Sequence, residues 1–362
     1  MSSLTKSQLS AIDCFRQHAI ERKDNAISTI SHILKMSNIS DEVYKNAIRN
    51  LVGHAQVALH FHPDRLDSNM YSVANSLLSS GLYKSQFETA ISNGSVSAHS
   101  GGDRDLWEKE LYKGAYHSGE FDGKERAKYG ALDLFKHPDG PAPRFGSCYF
   151  VLKPEISRRC TYTYLDSHNI PEERGTIDEF DDIISALFIE IFTRNFALGE
   201  NDINITKFVD FLSTKLTEPR NDFSREHIKS NLNHYIEVQV HGDVDLAIDV
   251  DYLVADPSFK NTDIGDNFEE MSRKYNFTVY WHRGFKLHID SVPLDFRGPS
   301  MPLLAKRVIS SGEYLTTNMI GDSAQSLKTN PELWSDYGSI AEVTQELKLL
   351  WHVLVTFGTP SE

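Results

Sequence analysis

The sequence predicts an α+β protein, a strand-rich core with helices before it, inserted into it and after it. Three observations carry this. Apolar residues recur at helical spacing through residues 4–55. Short runs rich in β-branched and aromatic residues follow, bounded by Gly, Pro and Asn. A second helical stretch, from about Asp178 to Asn233, interrupts those runs.

In the first stretch Leu4, Leu9, Ile12, Phe15 and Ala19 share a stripe. Ile27, Ile30, Ile33 and Leu34 continue it, and Val43, Ala47, Ile48 and Leu51 make a second. Ser40-Asp41-Glu42 reads as a helix start. Val57 to His62 is a strand stopped by Pro63. Clusters at Ser92-Asn93-Gly94 and Ser100-Gly101-Gly102-Asp103 mark loops, as does the Pro- and Gly-rich run from Pro138 to Pro143. Further strands are expected at Tyr129–Phe135, Ser147–Lys153, Thr161–Leu165, Tyr235–His241 and Phe277–His282. In the insertion, Phe180, Ile183, Ile184, Leu187, Phe188 and Ile191 form one stripe, led by Asp178, Glu179, Asp181 and Asp182, which suit a helix N-terminus. Helical pattern returns at 300–312 and 341–353. The expected organisation is a helical region over 1–55, a core from 56–177 with 234–362, and a helical insertion over 178–233.

Composition narrows the function classes. The chain has 362 residues, 40% hydrophobic and 24% charged, which is ordinary globular composition. No stretch approaches ~20 apolar residues, so a membrane-spanning helix is not expected. The start, Met1-Ser2-Ser3-Leu4-Thr5-Lys6, lacks the basic-then-apolar pattern of a cleaved signal. A net charge of −14 argues against nucleic acid as a partner. Cys14, Cys148 and Cys160 are too few for a disulfide framework, and no two sit at metal-ligand spacing.

Three segments can carry chemistry. In Tyr235-Ile236-Glu237-Val238-Gln239-Val240-His241, alternation sends Ile236, Val238 and Val240 one way and Tyr235, Glu237, Gln239 and His241 the other. Such a polar row either lines a pocket or faces water on an exposed edge strand. In Leu59-His60-Phe61-His62-Pro63-Asp64-Arg65, His60 and His62 share a face. Two such histidines can ligate a metal, with Asp64, Asp103, Asp133 and His241 as completing ligands. That gives a metal-dependent hydrolase as one reading, and a histidine pair holding a loop as another. In Lys128–Leu134, Tyr129, Ala131 and Asp133 share a face, and an aromatic beside Gly130 can stack a flat ring; ordinary core is the alternative. Residues 87–94, with Ser92, and Phe145-Gly146-Ser147 add small hydroxyl and amide groups. No phosphate loop, dinucleotide fingerprint or nucleophile elbow is present.

The strings HFHPDR (60–65), YKSQFETAISNG (83–94), GGDRD (101–105), YGALDL (129–134), GPAPRFGSCYF (140–150), YIEVQVHGDVDLAIDV (235–250) and DPSF (256–259) occur in order, followed by WHRGF (281–285) and LWHVLVTFG (350–358). Over roughly residues 50–358 the chain resembles the CteC-like bacterial effectors, a family of mono-ADP-ribosyltransferases. The resemblance implies a PARP-like ADP-ribosyltransferase β-sheet core, NAD+ as co-substrate, no metal, and host ubiquitin as partner. It implies action of a monomer secreted into the host cell cytosol, where modification of a threonine hydroxyl blocks ubiquitination. By it, Glu237 is the catalytic carboxylate and Asp64 the second one, with Asp103 and Asp133 as alternatives. His62, Arg65, Tyr129, Ser92 and Gln239 are expected to bind NAD+. The helical insertion is expected to dock ubiquitin, with the N-terminal helices as the second choice. A non-catalytic module that sequesters a host protein is a third reading.

Overall fold

The computed structural model describes residues 4–91, 97–220, 223 and 228–361. Helix α1 (Lys6–Met36) starts at a capping box, in which Thr5 accepts from the Gln8 N–H and the Gln8 side chain accepts from the Thr5 N–H. Helix α2 (Asp41–His54) starts at Ser40, which accepts from the Val43 N–H, as the Ser-Asp-Glu string predicts.

Eight strands follow in one sheet: β1 (Gln56–Phe61), β2 (Lys128–Asp133), β3 (Cys148–Leu152), β4 (Cys160–Tyr164), β5 (Arg174–Thr176), β6 (Ile236–Val240), β7 (Val250–Ala255) and β8 (Thr278–Trp281). Their spatial order is β8-β7-β3-β1-β2-β6-β4-β5. The β7–β8 pair is parallel and the other six pairs are antiparallel, so the sheet is mixed. The chain is thus α+β, with a large mixed central sheet and helices around it.

One sheet face holds the main core. Val57, Leu59, Phe61, Phe150, Tyr162, Ile236, Val238, Val240 and Leu253 pack there. Ile30, Ile33 and Leu34 of α1 and Ala47 and Leu51 of α2 cover it. So do α3 (Val73–Ser80), α5 (Asp181–Arg194), α6 (Ile205–Thr214) and α7 (Asp263–Tyr275); α4 (Asp103–Leu111) lies elsewhere. The N-terminal helices and the insertion therefore share one core with the sheet rather than standing apart from it. The insertion is less helical than expected. After α6 and a short 3-10 turn at Lys215–Thr217, Pro219 denies the helix a further backbone donor. A second apolar cluster joins α8 (Met301–Val308), α9 (Thr317–Thr329) and α10 (Ile340–Phe357). No described helix is long and apolar enough to cross a membrane.

Candidate functional site

Strand β6 lies inside the sheet, between β2 and β4, so its polar row is not on an exposed edge. Register places Glu237 between Ala131 and Thr163, and Gln239 between Tyr129 and Thr161. The row is buried, and a chain of hydrogen bonds joins His241, Gln239 and Glu237. The Tyr116 hydroxyl lies 2.5 Å from His241 Nδ1, and His241 Nε2 lies 3.0 Å from Thr161 Oγ1. Thr161 Oγ1 donates to Gln239 Oε1 at 2.8 Å, and Gln239 Nε2 donates to Glu237 Oε1 at 3.1 Å. With His241 protonated on Nε2, every link donates in the same direction, toward the carboxylate. Burial, then Lys128 and Arg159, push His241 down to about 3, which keeps the ring neutral as this arrangement needs.

Glu237 is 5% exposed and lies at the floor of a cleft of about 280 Å³. Ser167 Oγ also donates to its Oε1. Among the described residues Oε2 has no hydrogen-bond partner. Burial first, and the nearby Asp166 carboxylate second, push Glu237 up to about 7; Ser167, Gln239 and Arg104 pull the other way. Ser167 is held by the turn after β4. Asp166 caps that turn through the His168 N–H at 3.0 Å, and Trp107 Nε1 donates to the Ser167 carbonyl at 2.8 Å. Asp166 and His168 of this turn both line the cleft.

An aromatic wall stands beside Glu237. Trp107 and Tyr129 have ring centroids 5.5 Å apart, and the Arg104 guanidinium lies over both, at 4.7 and 5.0 Å. The Tyr129 hydroxyl donates to Glu108 Oε1 at 2.8 Å. Buried Arg126 holds Glu108 in turn, at 2.9 Å, and also pairs with Asp105. Cations dominate the cleft: Arg65, Lys84, Arg104, Lys128, Arg144 and Lys348 line it, against Asp67, Asp166 and Glu237. That excess is local, in a chain of net charge −14.

Of the residues expected from sequence, His60, His62, Arg65, Tyr129 and Glu237 line this cleft. Gln239 stands behind Glu237 and is fully buried, so it orients the carboxylate rather than contacting a ligand. Ser92 lies outside the described residues. None of the three candidate aspartates lines the cleft. Past Pro63 the chain turns under α9, where the Asp64 carboxylate packs so tightly against Gly321 that a Cβ there would sit 1.6 Å from Oδ2. Asp64 is 2% exposed, its Oδ1 has no partner among the described residues, and burial pushes its carboxyl up to about 6. Asp103 is exposed in the first turn of α4. Asp133 is buried at the far end of β2, where desolvation raises its pKa.

His60 has no nitrogen to give a metal. Its Nδ1 meets the Gly146 carbonyl at 2.9 Å, its Nε2 accepts from the Ala142 N–H at 3.3 Å, and its ring stacks on Tyr149. Gly140, at φ +79, makes room for it, since a Cβ there would fall 2.4 Å from the ring. Among the described residues no three His, Cys, Asp or Glu side chains are grouped to hold a metal ion. Sequence reasoning missed Arg104, Trp107, Arg144, Asp166, His168 and Lys348. Arg104, inside the GGDRD string, and Trp107, three residues on, carried a readable signal as one face of a helix.

Fold and site together define an α+β protein with a buried carboxylate at the floor of a cleft walled by aromatic rings and cations. The chain matches the model of the family described as "Protein of unknown function (DUF3626)" over residues 56–357, and it belongs to that family. No curated protein matches the chain.

Proposed function

We propose that this chain is an NAD+–protein mono-ADP-ribosyltransferase with a PARP-like core. The observation that supports this most is Glu237, an interior-strand carboxylate oriented by donors on one oxygen and facing a cleft flanked by Trp107, Tyr129 and cations. A buried carboxylate of this kind suits a reaction in which positive charge develops on a sugar carbon. In NAD+ the bond between ribose C1′ and nicotinamide breaks, and nicotinamide leaves with the electron pair. Glu237 stabilises the oxocarbenium-like centre and holds the ribose 2′-hydroxyl. Tyr129 and Trp107 stack on flat rings, His62 faces the ribose, and Arg65 balances diphosphate charge.

The acceptor oxygen then bonds to C1′ and loses its proton to a general base. Asp166 takes this role in place of Asp64, because it lines the cleft and acts electrostatically on Glu237. The acceptor class, a threonine hydroxyl of host ubiquitin, and the setting, a secreted bacterial effector, rest on the motif resemblance. The exposed Ile189 and Phe192 on α5 support the insertion as the docking region.

Nicotinamide release from NAD+ tests the enzyme class. The wild-type chain should release it, and Glu237→Gln should do so at least about 10²-fold more slowly, a usual loss for a central electrostatic group. Equal rates in the two proteins would remove Glu237 from the reaction.

A further inference from the structure

The C-terminal helical layer brings positive charge to the cleft without neutralising it. The Pro143–Phe145 turn docks on α10 through Trp351 Nε1, which donates to the Pro143 carbonyl at 3.0 Å. This sets Arg144 beside Lys348, one turn before His352 on the same helix. Arg297, in the loop before α8, acts on the same groups. Its position is fixed by Phe296, whose ring lies 5.1 Å from that of Phe357 on α10. Arg144 Nη1 has one neutral partner, Asn233 Oδ1 at 3.0 Å. The Nε atoms of Arg144 and Arg297 are buried with no partner among the described residues. Beneath them His352 is 2% exposed, and both its ring nitrogens are buried and without a partner there.

This cluster is costly as it stands. Like charges crowd one another, and polar atoms are desolvated without hydrogen bonds. Burial and the neighbouring Arg144 and Arg297 lower Lys348, while Asp166 pulls it upward. Burial and the three cations push His352 down to about 3. Arg144 and Lys348 line the cleft, and together their donors outnumber what a single carboxylate can use. A phosphoryl group, with three acceptor oxygens, matches them better.

We propose that Arg144 and Lys348, backed by Arg297 and with His352 beneath them, form a seat for a phosphoryl group of the substrate. This rests on the reading of the cleft as a nucleotide site, and it locates within that cleft where the ligand's anionic part is held. The C-terminal layer is then part of the binding site, not only a cover.

The test uses the full chain, with Lys348→Met and Arg297→Met singly and together. Binding of ADP-ribose, ADP, inorganic pyrophosphate and inorganic phosphate is measured by calorimetry, and thermal unfolding is followed with and without each. The wild-type protein should bind ADP-ribose, and the double variant should bind it at least about tenfold more weakly, as loss of charge-assisted bonds predicts. Without ligand, the double variant should unfold at the same or a higher temperature, because like-charge repulsion is relieved; a merely structural pair would lower it. Binding of pyrophosphate or phosphate that the double variant loses, with none of ADP-ribose, would keep the seat, assign it to a free anion and remove the nucleotide reading. Undiminished ADP-ribose binding by the double variant would overturn the seat while leaving the nucleotide reading intact. Absence of binding by all four probes would overturn both.

Discussion

Glu237→Gln should stabilise the protein at alkaline pH while abolishing its chemistry. The carboxyl rises from an ordinary 4.5 to about 7 on folding. Between those values the folded state holds a proton that the unfolded chain has released, so stability falls as pH rises through the window. Below about pH 4.5 both states are protonated and the cost vanishes; above about pH 7 it is complete. The shift corresponds to about 3 kcal/mol. Glutamine keeps the Oε1 acceptor used by Ser167 and Gln239 and carries no charge. The variant should therefore exceed the wild type by about 3 kcal/mol at pH 8, and by less than about 1 kcal/mol at pH 5. Over 362 residues this is a rise in Tm of about 4 °C. Urea unfolding of both proteins at the two pH values measures it. Equal stability at pH 8, or a variant less stable there, would refute the claim that Glu237 is held in the fold at an electrostatic cost.

Three further outcomes are expected. The rate of nicotinamide release should rise with pH through an apparent pKa near 7; Asp166→Asn removes the carboxylate that helps raise Glu237, so this limb should move to lower pH in a pH–rate profile. The same variant should depress transfer to protein more than hydrolysis by water, which a comparison of the two products reads; an equal loss would take the acceptor-base role from Asp166. Arg126→Met removes the guanidinium that balances the buried carboxylates Glu108 and Asp105, leaving Glu108 only the Tyr129 hydroxyl and Asp105 only His117 and the Gly101 N–H, and should cost about 3–5 kcal/mol in denaturant unfolding.

The part of the site carried by strand alternation was legible in the sequence. Ile236, Val238 and Val240 against Glu237 and Gln239 needs only a period of two, and the same rule paired His60 with His62. What alternation does not give is which sheet position a strand takes. The row on β6 is buried because β2 and β4 flank it, and those pairings join residues more than a hundred and about eighty positions away. Asp64 failed for a related reason. It follows a strand end at Pro63, and its direction is set by α9, over two hundred and fifty residues later. Arg144 and Lys348 come from a loop and the last helix, and only packing brings them together. Strand β7 was missed although Val250-Asp251-Tyr252-Leu253-Val254-Ala255 has strand character, and β5 was missed because Arg174-Gly175-Thr176 is too short to show a period.

The proposed activity is transfer of ADP-ribose from NAD+ to a protein, with Glu237 as the catalytic carboxylate. Intact mass spectrometry of ubiquitin, after incubation with the chain and NAD+, tests it most directly. Ubiquitin should gain a single ADP-ribose unit, located on a threonine by fragmentation and absent with Glu237→Gln. Unmodified ubiquitin alongside unconsumed NAD+ would overturn the transferase activity.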